Sequence, residues 1–70
     1  MEMKKILEVR LLSGVIYRVG STVNDQEINY IVEDIDENGD SIYNLFNNNN
    51  WVFAYIPYHA VAVIIFDMIS

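Results

Sequence analysis

The sequence predicts an all-β domain, a small barrel or strongly bent sheet spanning residues 1–70. Three observations carry this expectation. Apolar and polar residues alternate over short runs, turn-forming residues punctuate the chain at close intervals, and no apolar repeat of helical period extends far enough to require a helix.

Met1 to Lys5 is too short for periodicity to choose between a helical turn and a frayed arm. From Ile6 to Leu12 the pattern becomes that of a strand, with Leu7, Val9 and Leu11 alternating with Glu8 and Arg10, and Ser13-Gly14 supplies a reversal. Val15 to Val19 returns with Val15, Tyr17 and Val19 on one face and Arg18 on the other, and Gly20-Ser21 ends it where a bend is easy. A polar loop over Asn24 to Glu27 leads to a third strand, Ile28 to Ile35, rich in β-branched and aromatic residues. Asn38-Gly39 suits the positive φ angles of a two-residue type I′ turn, so Ile42 to Phe46 is expected to pair with that third strand as a hairpin. Four asparagines, Asn47 to Asn50, form a tip loop, because asparagine tolerates left-handed geometry and bonds its own main chain. Trp51 to Ile56 follows with Trp51, Phe53 and Tyr55 on one face, Pro57 forces a turn or a change of partner, and His59 to Ile69 is the most apolar strand.

That last strand sets the main expectation about assembly. Val61, Val63 and Ile65 would face one way and Ala62, Ile64 and Phe66 the other, so both faces are apolar and one needs cover from outside the chain. A chain of 70 residues buries only about 60% of its unfolded surface. With no cysteine and a single histidine, His59, neither a disulfide nor a thiolate or His-rich zinc site can supplement the core, and oligomerisation is the remaining common staple. Val61, Val63, Ile64, Ile65 and Phe66 are therefore the expected interface between copies.

The net charge of -6 argues against broad contact with nucleic-acid phosphates and suits either solubility or a basic host protein. Trp51 to Phe66 carries no charge, but Pro57 and His59 interrupt it and Asp67 follows it, so it does not read as a membrane span. The lack of cysteine and of a basic, apolar, small-residue leader pattern points to the cytoplasm.

Chemical motifs are sparse. Asp34-Ile-Asp36-Glu-Asn38-Gly39 begins like a calcium loop, but its twelfth position is Leu45 rather than a bidentate glutamate, so a solvated hairpin turn is the better reading. Asp34 and Asp36 could share a strand face as paired carboxylates do, and Ser13, Ser21, Thr22 and Ser41 could serve as nucleophiles with His59 as base, yet no nucleophile elbow or third member accompanies them. No enzyme activity, cofactor or metal is expected. Tyr55, Tyr58 and His59 form a polar-aromatic cluster suited to a ligand pocket or an interface. Arg10 and Arg18 fall on adjacent strands, where paired guanidinium groups could hold a phosphate-bearing ligand or bond Glu8 and other acids.

Val9-Arg-Leu-Leu-Ser-Gly-Val-Ile-Tyr-Arg-Val-Gly20 and Tyr58-His-Ala-Val-Ala-Val-Ile64 together resemble the first and last parts of an Sm-like barrel, with Tyr58-His59-Ala60-Val61 at the place of the late Tyr-Lys-His-Ala-Ile run of the bacterial Hfq branch. SH3-like barrels share such patterns. The resemblance implies a bent five-stranded sheet whose last two strands pair across subunits into a ring, with His59 and Tyr58 as pore-side polar groups. An RNA-binding ring is a further implication, although Glu33-Asp-Ile-Asp-Glu-Asn-Gly39 lacks the family's nucleotide-contacting pattern.

These readings converge on a non-enzymatic homo-oligomeric binding protein. Its richness in Asn, Ile and Tyr has the look of a gene from an AT-rich bacterium or its phage, and compact oligomeric phage proteins often counter host defence. The expected ligand is a nucleotide-type signal held between subunits by Arg10, Arg18, Tyr55, Tyr58 and His59. The alternative is an acidic module that blocks a basic host protein with Glu33, Asp34, Asp36, Glu37 and Asp40.

Overall fold

Three residues fail to take their turn in the alternation of buried and exposed side chains, and these three decide what reaches the core. In the computed structural model, which describes the backbone of residues 3–69 and the side chains of residues 5–67, the chain forms β1 (Met3–Leu11), β2 (Ile16–Arg18), β3 (Thr22–Val23), β4 (Gln26–Glu27), β5 (Tyr30–Ile35), β6 (Ser41–Phe46), β7 (Val52–Pro57), a 3-10 turn (Tyr58–Ala60) and β8 (Val61–Ile69). Met3 to Lys5 are strand rather than the helical turn considered from sequence, because their ladder to Asp67–Ile69 of β8 fixes them extended. Met1 and Glu2 lie outside the described residues.

Five antiparallel strands run in the order β8, β1, β5, β6, β7, and the sheet curls strongly into a half-barrel. β1 carries β8 along one side. Its other side is shared end to end, with β2 opposite Glu8, Val9 and Arg10 and β5 opposite Ile6. The β3–β4 hairpin stands apart from this sheet, joined to it where Gly20 N–H donates to the Ile28 carbonyl and Ile28 N–H to that of Ser21, both at 2.8 Å.

Leu7 is the first irregular residue. Ile6 pairs with Phe66 and Glu8 with Ile65, so Leu7 is an extra residue on β1. Ile6 and Val9, three apart, thereby face the same side and both are buried, Val9 completely. Without the bulge, alternation would put them on opposite faces. This corrects the expectation that Leu7 shares the inward face of Val9 and Leu11. Ala62 is the second extra residue, lying between the pairs Arg10–Val63 and Leu11–Val61, and it lets Val61 join Ile64 against the core instead of Val63 and Ile65. Phe53 is the third, between Leu45–Ala54 and Phe46–Val52. It turns Phe53 partly inward, while Tyr55 faces out and Trp51, at 70% exposure, sits in the turn. The core is then Ile6, Val9, Ile28, Ile31, Tyr43, Leu45 and Ile56, ringed by Leu11, Tyr17, Val19, Val61, Ile64 and their neighbours.

One turn design closes three hairpins. Leu11, Asp36 and Asn47 each donate N–H to the carbonyl four residues on, and their own carbonyls accept from the residue three on, at 2.8–3.1 Å. The third loop residue, Gly14, Gly39 or Asn50, takes the positive φ (95°, 84° and 64°). This is a type I turn ending in a left-handed residue, so Glu37-Asn38-Gly39 is a three-residue loop and not the expected two-residue type I′ turn. The type I′ geometry instead occurs at Asn24-Asp25, where both residues have positive φ between the paired Val23 and Gln26. Pro57 precedes the 3-10 turn, whose last carbonyl, on Ala60, accepts from Leu12 N–H at 2.9 Å and so docks it beside the β1–β2 loop.

Among the four asparagines, Asn47 does most to hold the structure. It is buried, its Oδ1 accepts from the N–H groups of Asn49 and Trp51 at 2.9 and 3.1 Å, and its Nδ2 donates to Gln26 Oε1 at 2.9 Å, tying the β3–β4 hairpin to the tip. Asn47→Ala is expected to cost about 1–3 kcal/mol, lowering Tm by roughly 4–8 °C per kcal/mol, while Asn48→Ala at the exposed tip stays within about 0.5 kcal/mol. Thermal denaturation followed by circular dichroism distinguishes the two.

Candidate functional site

The polar chemistry of this chain sits on the outer face of the sheet, because alternation turns Glu8 and Arg10 away from Val9, which the bulge at Leu7 keeps on the core side together with Ile6. On that face Glu8 lies between Arg18 of β2 and Ile65 of β8, and Arg10 lies between Ile16 and Val63. Glu8 is only 6% exposed. A carboxylate so enclosed needs cationic partners. It has two: Arg10 Nε donates to Oε2 and Arg18 Nη1 approaches Oε1 at 3.8 Å. The structure thus brings Arg10 and Arg18 together, as expected from sequence, but through Glu8, and the trio keeps one positive charge in excess. Both arginine side chains remain about half exposed, and each keeps N–H donors beyond the one directed at Glu8.

Tyr55, Tyr58 and His59 form a second group. Tyr58 and His59 meet edge to face, with ring centres 5.7 Å apart, at the 3-10 turn. Tyr55 stands on β7 opposite Asn44, pointing outward at 65% exposure. Among the described residues these rings make no ring or ion-pair contact with Arg10 or Arg18, whose side chains meet Glu8. Ser13 Oγ accepts from Val15 N–H at 3.5 Å, and the aromatic neighbour of His59 is Tyr58 rather than a hydroxyl nucleophile.

The acidic loop is spent largely on its own geometry. Asp36 Oδ1 accepts from the N–H groups of Asn38 and Asp40, both at 2.9 Å, and Asp34 Oδ1 accepts from Ile35 N–H at 2.8 Å. Glu33, Glu37 and Asp40 remain exposed. Among the described residues no group of three or more His, Asp or Glu side chains is arranged to hold a metal ion. Of the residues assigned to an interface, Val61 and Ile64 pack against the core, Ile65 is half-buried, and Val63 and Phe66 are exposed on opposite faces of β8.

Sequence reasoning missed two surfaces. The outer face of β5–β6–β7 carries the cross-strand rows Tyr30–Phe46–Val52 and Val32–Asn44–Tyr55, with the Tyr30 and Phe46 rings stacked at 4.6 Å. The other is a cleft of ≈ 620 Å³ lined by Lys5, Ile6, Tyr30, Ile31, Val32, Glu33 and Phe66, where β1 and β5 part. The alternation of Tyr30, Val32 and Asp34 against Ile31 and Glu33 signals the first. Nothing in the sequence signals where two strands separate.

Among the described residues no helix is long and apolar enough to cross a membrane. No protein-family model, curated protein or solved structure matches the chain.

Two substitutions probe these interactions. Glu8→Ala leaves two guanidinium groups facing one another without their shared acceptor, and is expected to cost about 1–3 kcal/mol in urea denaturation, more than Arg18→Ala at the longer contact. Tyr43 is the buried group whose pKa is raised above its ordinary value of 10.0, first by burial and then by the nearby charge of Glu33. A raised phenol pKa means that the unfolded chain loses this proton first. Its contribution is therefore intact below pH 10.0 and disappears as pH rises from there through the folded-state value. Tyr43→Phe should flatten the fall in urea midpoint above pH 10.0 relative to the parent, and equal slopes would contradict this.

Proposed function

We propose that the protein is a non-enzymatic binding module that works as a homo-oligomer, with copies joined edge to edge through β7 and β8. The observation that carries this reading is the unfinished curl of the sheet. Among the described residues β7 has a ladder neighbour only in β6 and β8 only in β1, so the half-barrel ends in two strand edges linked by one short turn. Such edges pair with other strands unless they are blunted by charge, proline or cover. Here β7 carries no charge and has its proline, Pro57, only at its last position, leaving Val52 and Tyr55 on offer, while β8 carries Asp67 towards its far end and offers Val63 beside half-buried Ile65. A head-to-tail contact that matches one copy's β7 to the next copy's β8 repeats and closes as a ring. The resemblance to Sm-like barrels supports the same arrangement.

This pairing would also complete a ligand site. With outer faces continuous, Tyr55 of one copy would stand one strand from Val63 of the next and two strands from its Arg10, about 10 Å at the usual strand spacing. An aromatic ring at that distance from the Arg10–Glu8–Arg18 trio suits a nucleotide-type ligand, with its base on tyrosine and its phosphate on the remaining guanidinium donors. Tyr58 and His59 would flank the same junction. Sequestration of such a signal by a small phage protein that counters host defence needs no catalytic group, and a cytoplasmic setting agrees with it.

Native mass spectrometry at micromolar concentration is the direct test. Integral multiples of the 8.1 kDa subunit are expected, and Val63→Lys together with Tyr55→Lys should return the protein to a folded monomer. A folded monomer for the parent protein would remove the proposal. Retained oligomer but no binding of cyclic or linear nucleotides by calorimetry would remove the ligand alone.

A further inference from the structure

The ladder between β1 and β5 consists of the single pair Ile6–Ile31. Beyond it the two strands splay, so that Val32 to Ile35 of β5 has β6 on one side and, among the described residues, no strand on the other. The cleft of ≈ 620 Å³ opens at this split. Amide directions along β5 follow from the hairpin: Asp36 N–H donates to the Asp40 carbonyl of the facing arm, and amides alternate in direction along a strand. Ile31, Glu33 and Ile35 therefore present N–H and C=O away from β6. Ile31 uses them toward β1, and Ile35 N–H is taken by Asp34 Oδ1 at 2.8 Å. Glu33 keeps its main-chain pair directed into the gap. Glu33 and Lys5 are the charged residues of the cleft lining, whose apolar part includes Ile6, Ile31 and Phe66, and β5 continues past it into the exposed acids Asp34, Glu37 and Asp40.

We infer that this split is an acceptor slot for an extended basic peptide, which adds to the open edge of β5 through the Glu33 main chain and sets one apolar side chain on the Ile6–Ile31–Phe66 floor. Strand addition to a sheet edge takes its affinity from main-chain hydrogen bonds and its selectivity from alternate side chains. Four residues of β5 offer about 13 Å of edge, enough for three or four residues of peptide. The acids fix the sign of the partner: lysine or arginine at the positions flanking the seated side chain would share the outer face with Asp34, while on the inner side Glu33 faces Lys5 across the cleft. Phe66 is the one residue that β8 lends to this surface, and it faces the cleft rather than the Val63 side of β8 used in the proposed ring, so the slot operates in a monomer or in a ring.

The probe is a fluorescein-labelled hexapeptide of alternating lysine and valine, titrated into the full chain and followed by anisotropy and by backbone amide NMR shifts. Binding at about 50 mM salt that weakens at about 500 mM is expected, with the largest shifts at residues 32–35. Glu33→Pro removes the outward donor but no bond to β6, and should weaken binding roughly tenfold, whereas Glu33→Gln, which keeps the N–H, should cost no more than about threefold. A peptide N-methylated at its valines reads the same hydrogen bonds without any change to the protein, and should bind as weakly as the proline variant allows. Equal affinity for the N-methylated peptide, equal affinity for a glutamate-valine peptide, absence of binding at low salt, or shifts confined to β7 and β8 would each overturn the inference. So would a fall in oligomer mass on Glu33→Pro, which would assign this edge to a second copy of the chain.

Discussion

The fold depends on a conflict of periods within β1. Ile6, Val9 and Leu11 must all reach the core, yet a regular strand would place the first on the opposite face from the other two. The extra residue at Leu7 resolves the conflict, and much else follows from it. It bends β1 where β2 leaves its edge and β5 takes over, and alternation beyond it sends Glu8 and Arg10 outward together. A local increase in twist at that point helps turn a flat sheet into a half-barrel. Ala62 and Phe53 repeat the device on β8 and β7, so the sheet curls at three places with one added residue each.

Curvature achieved this way leaves the barrel short of closure. Among the described residues seven buried apolar side chains form the core, and many other large apolar side chains stay outside it. The outer face of β5–β6–β7 is nearly as apolar as an inner one, with Tyr30 stacked on Phe46 and Val32, Val52 and Tyr55 around them. Exposed apolar area on this scale marks contact surfaces in soluble domains. The charged residues are distributed to match: both well-placed arginines are drawn to Glu8 on one flank, and the acids gather at the β5–β6 end. Two flanks of opposite sign on so small a body are a means of orienting partners as they approach.

Turn chemistry was the most legible part of the sequence. Ser13-Gly14, Asn38-Gly39 and the asparagine run each mark a real reversal, because left-handed positions admit few residue types and so leave a trace in composition. The strands between them were legible for the same reason. Turn type was less so: Asn38-Gly39 serves a three-residue loop and Asn24-Asp25 the two-residue one, since loop length depends on which flanking residues pair. Bulges were not legible, because a single inserted residue alters no local composition and shows only against a partner strand. Each error about facing, at Leu7, at Val61 and at Phe53, traces to one of them. Of the candidate site, the meeting of Arg10 and Arg18 was visible in the hairpin, and so was Glu8 as a partner. The burial of Glu8 was not, since it depends on β8 arriving from the far end of the chain.

That arrival has a consequence for biogenesis. The largest set of contacts in the fold joins residues 3–11 to residues 61–69, so β1, which can pair early with β2, waits through the synthesis of β3 to β7 before β8 exists. The three central hairpin turns can form as they are made, since each is closed by bonds within five residues. Closing the longest loop comes last and is slowest. On the ribosome, then, the nascent chain leaves the β8 side of β1 uncovered until residues 61–69 have been translated, and its chance of meeting a chaperone or a sister polypeptide is greatest in that interval.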